Sequence, residues 1–277
     1  MFLHFKSFVL FVSIILSGML SVFAQQATPT PTPTPAKVEK KDNKQEKNSA
    51  ANATAEQVAE SAIIIYGGLT GGRPGLNQIR KTSVERGKIF ITNADGTIDT
   101  ANYEKRILRG ESLEKEKIRF DQEFPTARFA LIYRDNKITG LFNDSVFTPR
   151  EDASNAFTNQ IWRGLEGLLR YKENGSTLNL VGKEKQNGVE FYVLDVTDKL
   201  ERKTRFYISA KFFKVMWLEY TEGGIKYVRK FSDYRYAQGT LVPYRSVLTA
   251  NGKQVEETTI STVTYGQKVE EEIFQTS

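Results

Sequence analysis

The chain has 277 residues, with 39 Lys and Arg against 33 Asp and Glu, one histidine and no cysteine. The histidine, His4, falls in an N-terminal stretch that reads as a leader, so the rest of the chain offers neither His nor Cys. That excludes Ser-His-Asp and Cys-His nucleophile pairs and zinc sites built on those ligands.

The net charge of +6 is spread among acidic residues with no sustained basic block, which argues against a nucleic-acid partner. Lys6 followed by the apolar run Phe8–Leu16 and the small-residue site Val22-Phe23-Ala24 predicts a signal peptide over 1–24. The alternative, an uncleaved anchor, needs about 17–25 apolar residues, and the run lies at that lower limit. No second long apolar run follows, so the mature chain is expected to lack a transmembrane helix and to be exported, periplasmic or secreted. With no disulfides, its domain must be held by its core.

Residues 25–53 read as a disordered linker. The Thr-Pro repeat from Thr28 to Pro35 favours polyproline II, and Lys37–Asn52 is too polar to offset its ordering entropy. It reads as a tether, a sugar-attachment segment or a plain exposed tail.

The folded domain is expected over 54–277. Thr54-Ala55-Glu56-Gln57 has the form of a capping box, opening a helix with Val58, Ala62, Ile65 and Tyr66 on one face. Gly67–Gly75 is glycine-rich like a phosphate loop but lacks the Gly-Lys-Ser/Thr ending, so it is read as a flexible connector. The period then becomes two, and strands are predicted over Ser83–Asn93, Tyr103–Arg109, Lys115–Phe124, Arg128–Arg134 and Lys137–Asn143. Phe157, Ile161, Leu165 and Leu168, with Trp162 beside them, predict a second helix whose Gly164 and Gly167 leave it dependent on tertiary packing. Strands Thr177–Val181 and Val189–Val196 follow. A meander closes the chain: Thr204–Ala210, Phe212–Thr221, Lys226–Asp233, Leu241–Ala250 and Lys253–Tyr265, the last two joined by Asn251-Gly252.

These elements imply an α+β fold, mostly antiparallel β. About ten strands with two or three helices cannot make a fully covered flat sheet, so a curved sheet or unclosed β-barrel around the helices is expected.

Phe206-Tyr207-Ile208-Ser209, Val215–Tyr220, Phe231–Arg235, Leu241–Arg245 and Thr259–Tyr265 resemble the outer-membrane lipoprotein carrier (LolA-like) superfamily. The resemblance implies an unclosed barrel capped by helices, with an apolar cavity that shields acyl chains of a lipid or lipoprotein. It carries over no functional arginine. Arg235 and Arg245 lie in the similar segment but read as solvated strand residues.

Candidate ligand-binding residues are Phe157, Ile161, Trp162 and Leu165 on the helix and Phe206, Trp217 and Tyr244 on the sheet; each either lines a groove or forms the core. No catalytic residue, metal or cofactor is expected. The first reading is a non-catalytic binder of a lipid or lipoprotein acyl chain. The second is a regulatory or structural module that binds another envelope protein, its groove filled. The third is a hydrolase using carboxylates such as Asp121, Glu123, Glu219 or Glu270–Glu272, whose pairing the sequence does not reveal.

Overall fold

A computed structural model describes residues 53–275. The predicted signal peptide and all of the predicted linker except Ala53 lie outside the described residues. Helix α1 (Ala55–Gly67) opens on the expected capping box: Gln57 N donates to Thr54 Oγ1 at 3.2 Å and Thr54 N to Gln57 Oε1 at 2.8 Å. Val58, Ala59, Ala62, Ile63 and Tyr66 form its buried face. Gly68, at φ 52°, turns the chain out of the helix.

The expected flexible connector, Gly67–Gly75, runs into a second helix, α2 (Gly72–Ile79). Glycine disfavours helix, but tertiary contacts override it here. Leu76 is fully buried, and Arg73 is gripped by Glu60 at 2.9 Å and Glu173 at 2.6 Å.

Strands β1 (Thr82–Thr92), β2 (Ile98–Leu108), β3 (Lys117–Glu123), β4 (Arg128–Arg134), β5 (Lys137–Phe142) and β6 (Ser145–Phe147) run outward as consecutive hairpins. Helices α3 (Glu151–Trp162) and α4 (Leu165–Leu169) then carry the chain to the opposite end of the sheet. There β7 (Thr177–Gln186), β8 (Val189–Thr197), β9 (Lys203–Ser209), β10 (Val215–Glu222), β11 (Ile225–Ala237), β12 (Thr240–Ala250) and β13 (Lys253–Tyr265) run back inward. Among the described residues the result is one antiparallel sheet of 13 strands, ordered β6 to β1 and then β13 to β7. It is open, with β6 and β7 as its ends.

First and last strands meet in the middle. β1 pairs with β13 from Ser83–Tyr265 to Ile91–Glu256, with a bulge between Arg86 and Gly87. Only glycine fits there, because a Cβ on Gly87 would fall 2.0 Å from the Thr259 carbonyl oxygen.

Two expected elements differ in detail. The predicted strand Phe212–Thr221 begins at Val215, because Phe213 takes φ 53° in a turn closed by its amide bond to Ser209 O at 2.8 Å. The predicted single helix breaks at Arg163-Gly164, where Gly164 is extended, so Leu165 starts a separate short helix.

Both halves of the concave face are covered. α1 and α4 pack on the β8–β12 half through Val58, Ile63, Leu168, Leu194, Phe206 and Leu218. α3 packs on the β1–β4 half, with Phe157 and Ile161 against Tyr103, Ile118 and Phe120. The two clusters leave space between them, over the β1–β13 seam.

Candidate functional site

That space is a cavity of about 220 Å³. Its apolar wall is built by alternation. Tyr103 and Ile107 on β2 sit four residues apart, Ile118 and Phe120 on β3 two apart, and all four share the concave face. Phe157, Ile161 and Leu165 close it from above, the Phe157 ring stacked on Phe120 at 6.0 Å between centroids.

The remaining candidate residues lie elsewhere. Trp162 is buried in the α3 cluster, with the Arg202 guanidinium 4.5 Å over its ring. Phe206 is fully buried under α1. These two border a separate void of only about 10 Å³. Trp217 faces away from the cavity: Phe206 and Leu218 point to α1, so Tyr207 and Trp217, one residue along each strand, point to the other face. There Trp217 stacks on Tyr207 at 4.3 Å and meets Phe191 edge-on at 4.8 Å. Tyr244 packs beside the Val242–Tyr265 cluster, outside the cavity lining, under the Arg235 guanidinium at 4.8 Å. Arg235 and Arg245 are exposed and paired with Asp233 and Glu257.

The rest of the cavity is charged, which the helix stripe did not suggest. Mid-seam, Glu85 accepts from Tyr103 Oη at 2.9 Å and pairs with Lys105 at 3.2 Å. Across the seam Arg229 donates to Glu256 at 2.8 Å and to Ser246 Oγ at 3.2 Å. At one end Glu166, from α4, is shared by two guanidiniums. Its Oε1 accepts from Arg80 Nη1 at 2.8 Å and its Oε2 from Arg109 Nη2 at 2.6 Å. Arg80 also donates to Leu241 O at 3.0 Å, and Arg109 to Asn77 Oδ1 at 3.1 Å. Glu116 lies beside them, bonded to the buried Arg170 behind.

The two carboxyls are driven in opposite directions. Burial pushes Glu166 up, but the Arg109, Arg80 and Arg170 guanidiniums outweigh it and hold the group at about 2. For Glu116 burial prevails over Arg109 and Arg170 and raises it to about 7. Such a split suits an acid and a base in a hydrolase. Here, however, both oxygens of Glu166 are occupied by arginine, and Glu116 is turned into a guanidinium. Glu166 thus presents no free oxygen to a substrate, and Oε1 of Glu116 is taken by Arg170. The carboxylates considered from the sequence are placed no better. Asp121 is clasped by Arg119 at 2.9 Å, Glu219 pairs with Lys226, Glu271 pairs with Lys117, and none lines the cavity. Among the described residues no group of His, Cys, Asp and Glu could hold a metal, and no helix is long and apolar enough to cross a membrane.

A signal for the charged lining was present. Lys105 and Arg109 share the parity of Ala101, Tyr103 and Ile107, and Glu85 that of Ile89. Charges on the apolar side of a strand mark an interior that is not purely hydrocarbon.

The architecture is that of known proteins. Over 80% of this chain and 98% of the other, it matches a LolA superfamily protein from Nitrosomonas europaea, with TM-score 0.57 and 14% identity. A DUF1329 family protein from Desulfovibrio piger matches over 80% and 97%, with TM-score 0.57 and 12% identity. An outer membrane lipoprotein-sorting protein domain from Vibrio parahaemolyticus matches over 70% and 88%, with TM-score 0.52 and 16% identity. At these identities the likeness is one of fold: this chain has the LolA-like fold. No family model and no curated protein matches the sequence.

Proposed function

We propose that this chain is an exported, non-catalytic protein that binds one acyl chain of a lipid or lipoprotein in the cavity under α3 and α4. The observation that carries this reading is the wall formed by Ile107, Ile118, Phe120, Phe157 and Ile161. It offers apolar surface closed on the sheet side and covered by a helix. Burial of apolar surface yields about 25 cal/mol per Å², so holding a chain needs shape and dryness rather than a reactive group. The LolA-like fold supports it, since one neighbour is described as a lipoprotein-sorting domain. The volume suits a single chain better than a bundle of them, because drug-sized ligands occupy about 300–1,000 Å³.

The test is native mass spectrometry of protein purified from its own host, with titration of a fluorescent fatty acid. Saturable binding that is lost in Ile161→Trp, which fills the space, is the expected result. No co-purified lipid and no saturable binding would sink the reading.

A second reading is favoured by the same modest volume. The groove of an envelope protein-interaction module would be filled by its own side chains. A specific partner retained by Ile161→Trp, with no lipid bound to either form, distinguishes it.

A further inference from the structure

The cavity lining is not electrically uniform, and its imbalance is local. Glu85 pairs with Lys105, and Arg229 with Glu256, so each of these is neutral as a pair. At the remaining end three guanidiniums, Arg80, Arg109 and Arg170, face two carboxylates, Glu116 and Glu166. At least one positive charge is left over, inside the protein.

The hydrogen bonds point to the same place. The side chains of Arg80 and Arg109 are 9% and 8% exposed, and both line the cavity. Each spends its two terminal nitrogens on the network already described. Each keeps a buried Nε–H with no protein acceptor. The nearest carboxylate oxygen to Arg109 Nε, from Glu116, is 3.7 Å away, beyond hydrogen-bond range. A buried donor left unmatched costs about 1–3 kcal/mol, and more for a charged group. The same two guanidiniums line the cavity and carry the surplus charge, a combination that suits an oxyanion.

We propose that the Arg80–Arg109 end of the cavity takes the oxyanion head of an anionic long-chain amphiphile, a carboxylate or a phosphate monoester, while the tail lies against Ile107, Ile118, Phe120, Phe157 and Ile161. This rests on the acyl-chain reading above and specifies its ligand. Tyr265 also lines this end, its ring 5.5 Å from the Arg80 guanidinium. The charge requirement selects against neutral glycerides and alcohols of the same chain length.

The test uses the full chain and four probes below their micelle concentrations: dodecanoate, dodecyl phosphate, 1-dodecanol and acetate, followed by calorimetry. Charge-assisted hydrogen bonds of about 1.5–3 kcal/mol predict that the two charged amphiphiles bind at least about tenfold tighter than dodecanol. Acetate, which lacks the tail, should not bind measurably. Arg80→Gln removes the surplus positive charge together with one unmatched donor and should abolish the preference, with dodecanol reporting whether the folded cavity persists. Arg109→Lys keeps the charge but loses the fork, and should weaken both charged probes against dodecanol. Equal wild-type affinity for dodecanoate and dodecanol overturns the headgroup assignment and leaves the acyl-chain reading standing. Binding of none of the long-chain probes overturns both. Acetate binding as tightly as dodecanoate overturns the amphiphile in favour of a free-anion site.

Discussion

Arg109 donates to Glu166 across 2.6 Å, tying the end of β2 to the first turn of α4. The bond connects the covering helices to the sheet through charge rather than through apolar packing. Because the Glu166 carboxyl is held at about 2 in the fold, against an ordinary 4.5, the folded state binds fewer protons over that interval. Its stabilisation is therefore complete above pH 4.5 and fades as the pH falls from 4.5 toward 2. Glu166→Gln is expected to cost about 2–3 kcal/mol at pH 7. The deficit should shrink at pH 3, as read from urea unfolding at both pH values. A deficit that stays constant would show that the guanidiniums do not hold this carboxylate.

Trp217 separates stability from binding. It lies on the face opposite the cavity, stacked with Tyr207. Trp217→Ala should lower unfolding stability by about 2 kcal/mol through lost aromatic packing. Titration with the fluorescent fatty acid should match the wild type. Weaker binding would place part of the ligand on the outer face.

Gly87 governs the seam. Its Cβ would strike backbone oxygen rather than a movable side chain. Gly87→Ala is expected to cost about 1–3 kcal/mol, as overpacking does. Amide exchange should accelerate first along Ser83–Ile91 and their β13 partners. Loss spread evenly over the sheet would contradict a local role.

Tyr66 bonds α1 to the sheet. Its buried hydroxyl accepts from Val215 N at 3.3 Å and lies 3.3 Å from Tyr234 Oη. Burial raises the phenol to about 12, so it stays neutral through ordinary pH. Tyr66→Phe leaves the Val215 amide without that acceptor and should cost about 1–2 kcal/mol in thermal or urea unfolding.

Much of the fold was legible because local rules and global packing agree along most of the chain. The capping box at Thr54 forms as expected, and Asn251 and Gly252 take φ 47° and 81°, as a tight hairpin demands. α2 was missed because its stability comes from Glu60, Glu173 and the core rather than from its own glycine-rich sequence. Trp217 was set beside Phe206 as a groove candidate because β8–β10 carry apolar residues on both faces, so alternation alone does not say which face is inner. The charged end of the cavity was hidden for another reason. Arg80, Arg109, Glu116 and Glu166 come from four separate segments, and only the parity of Lys105 and Arg109 hinted at an inward charge.

The connection from β6 to β7 has a mechanical meaning. Those strands are the two tips of the sheet, and residues 148–176 join tip to tip across its hollow side. The arrangement is a strung bow: the sheet is the limb and the helices are the string. A longer string lets the limb straighten and the hollow widen; a shorter one bends it tighter. On the proposed reading, the length of that one connector bears on what the hollow can hold, alongside the residues that line it.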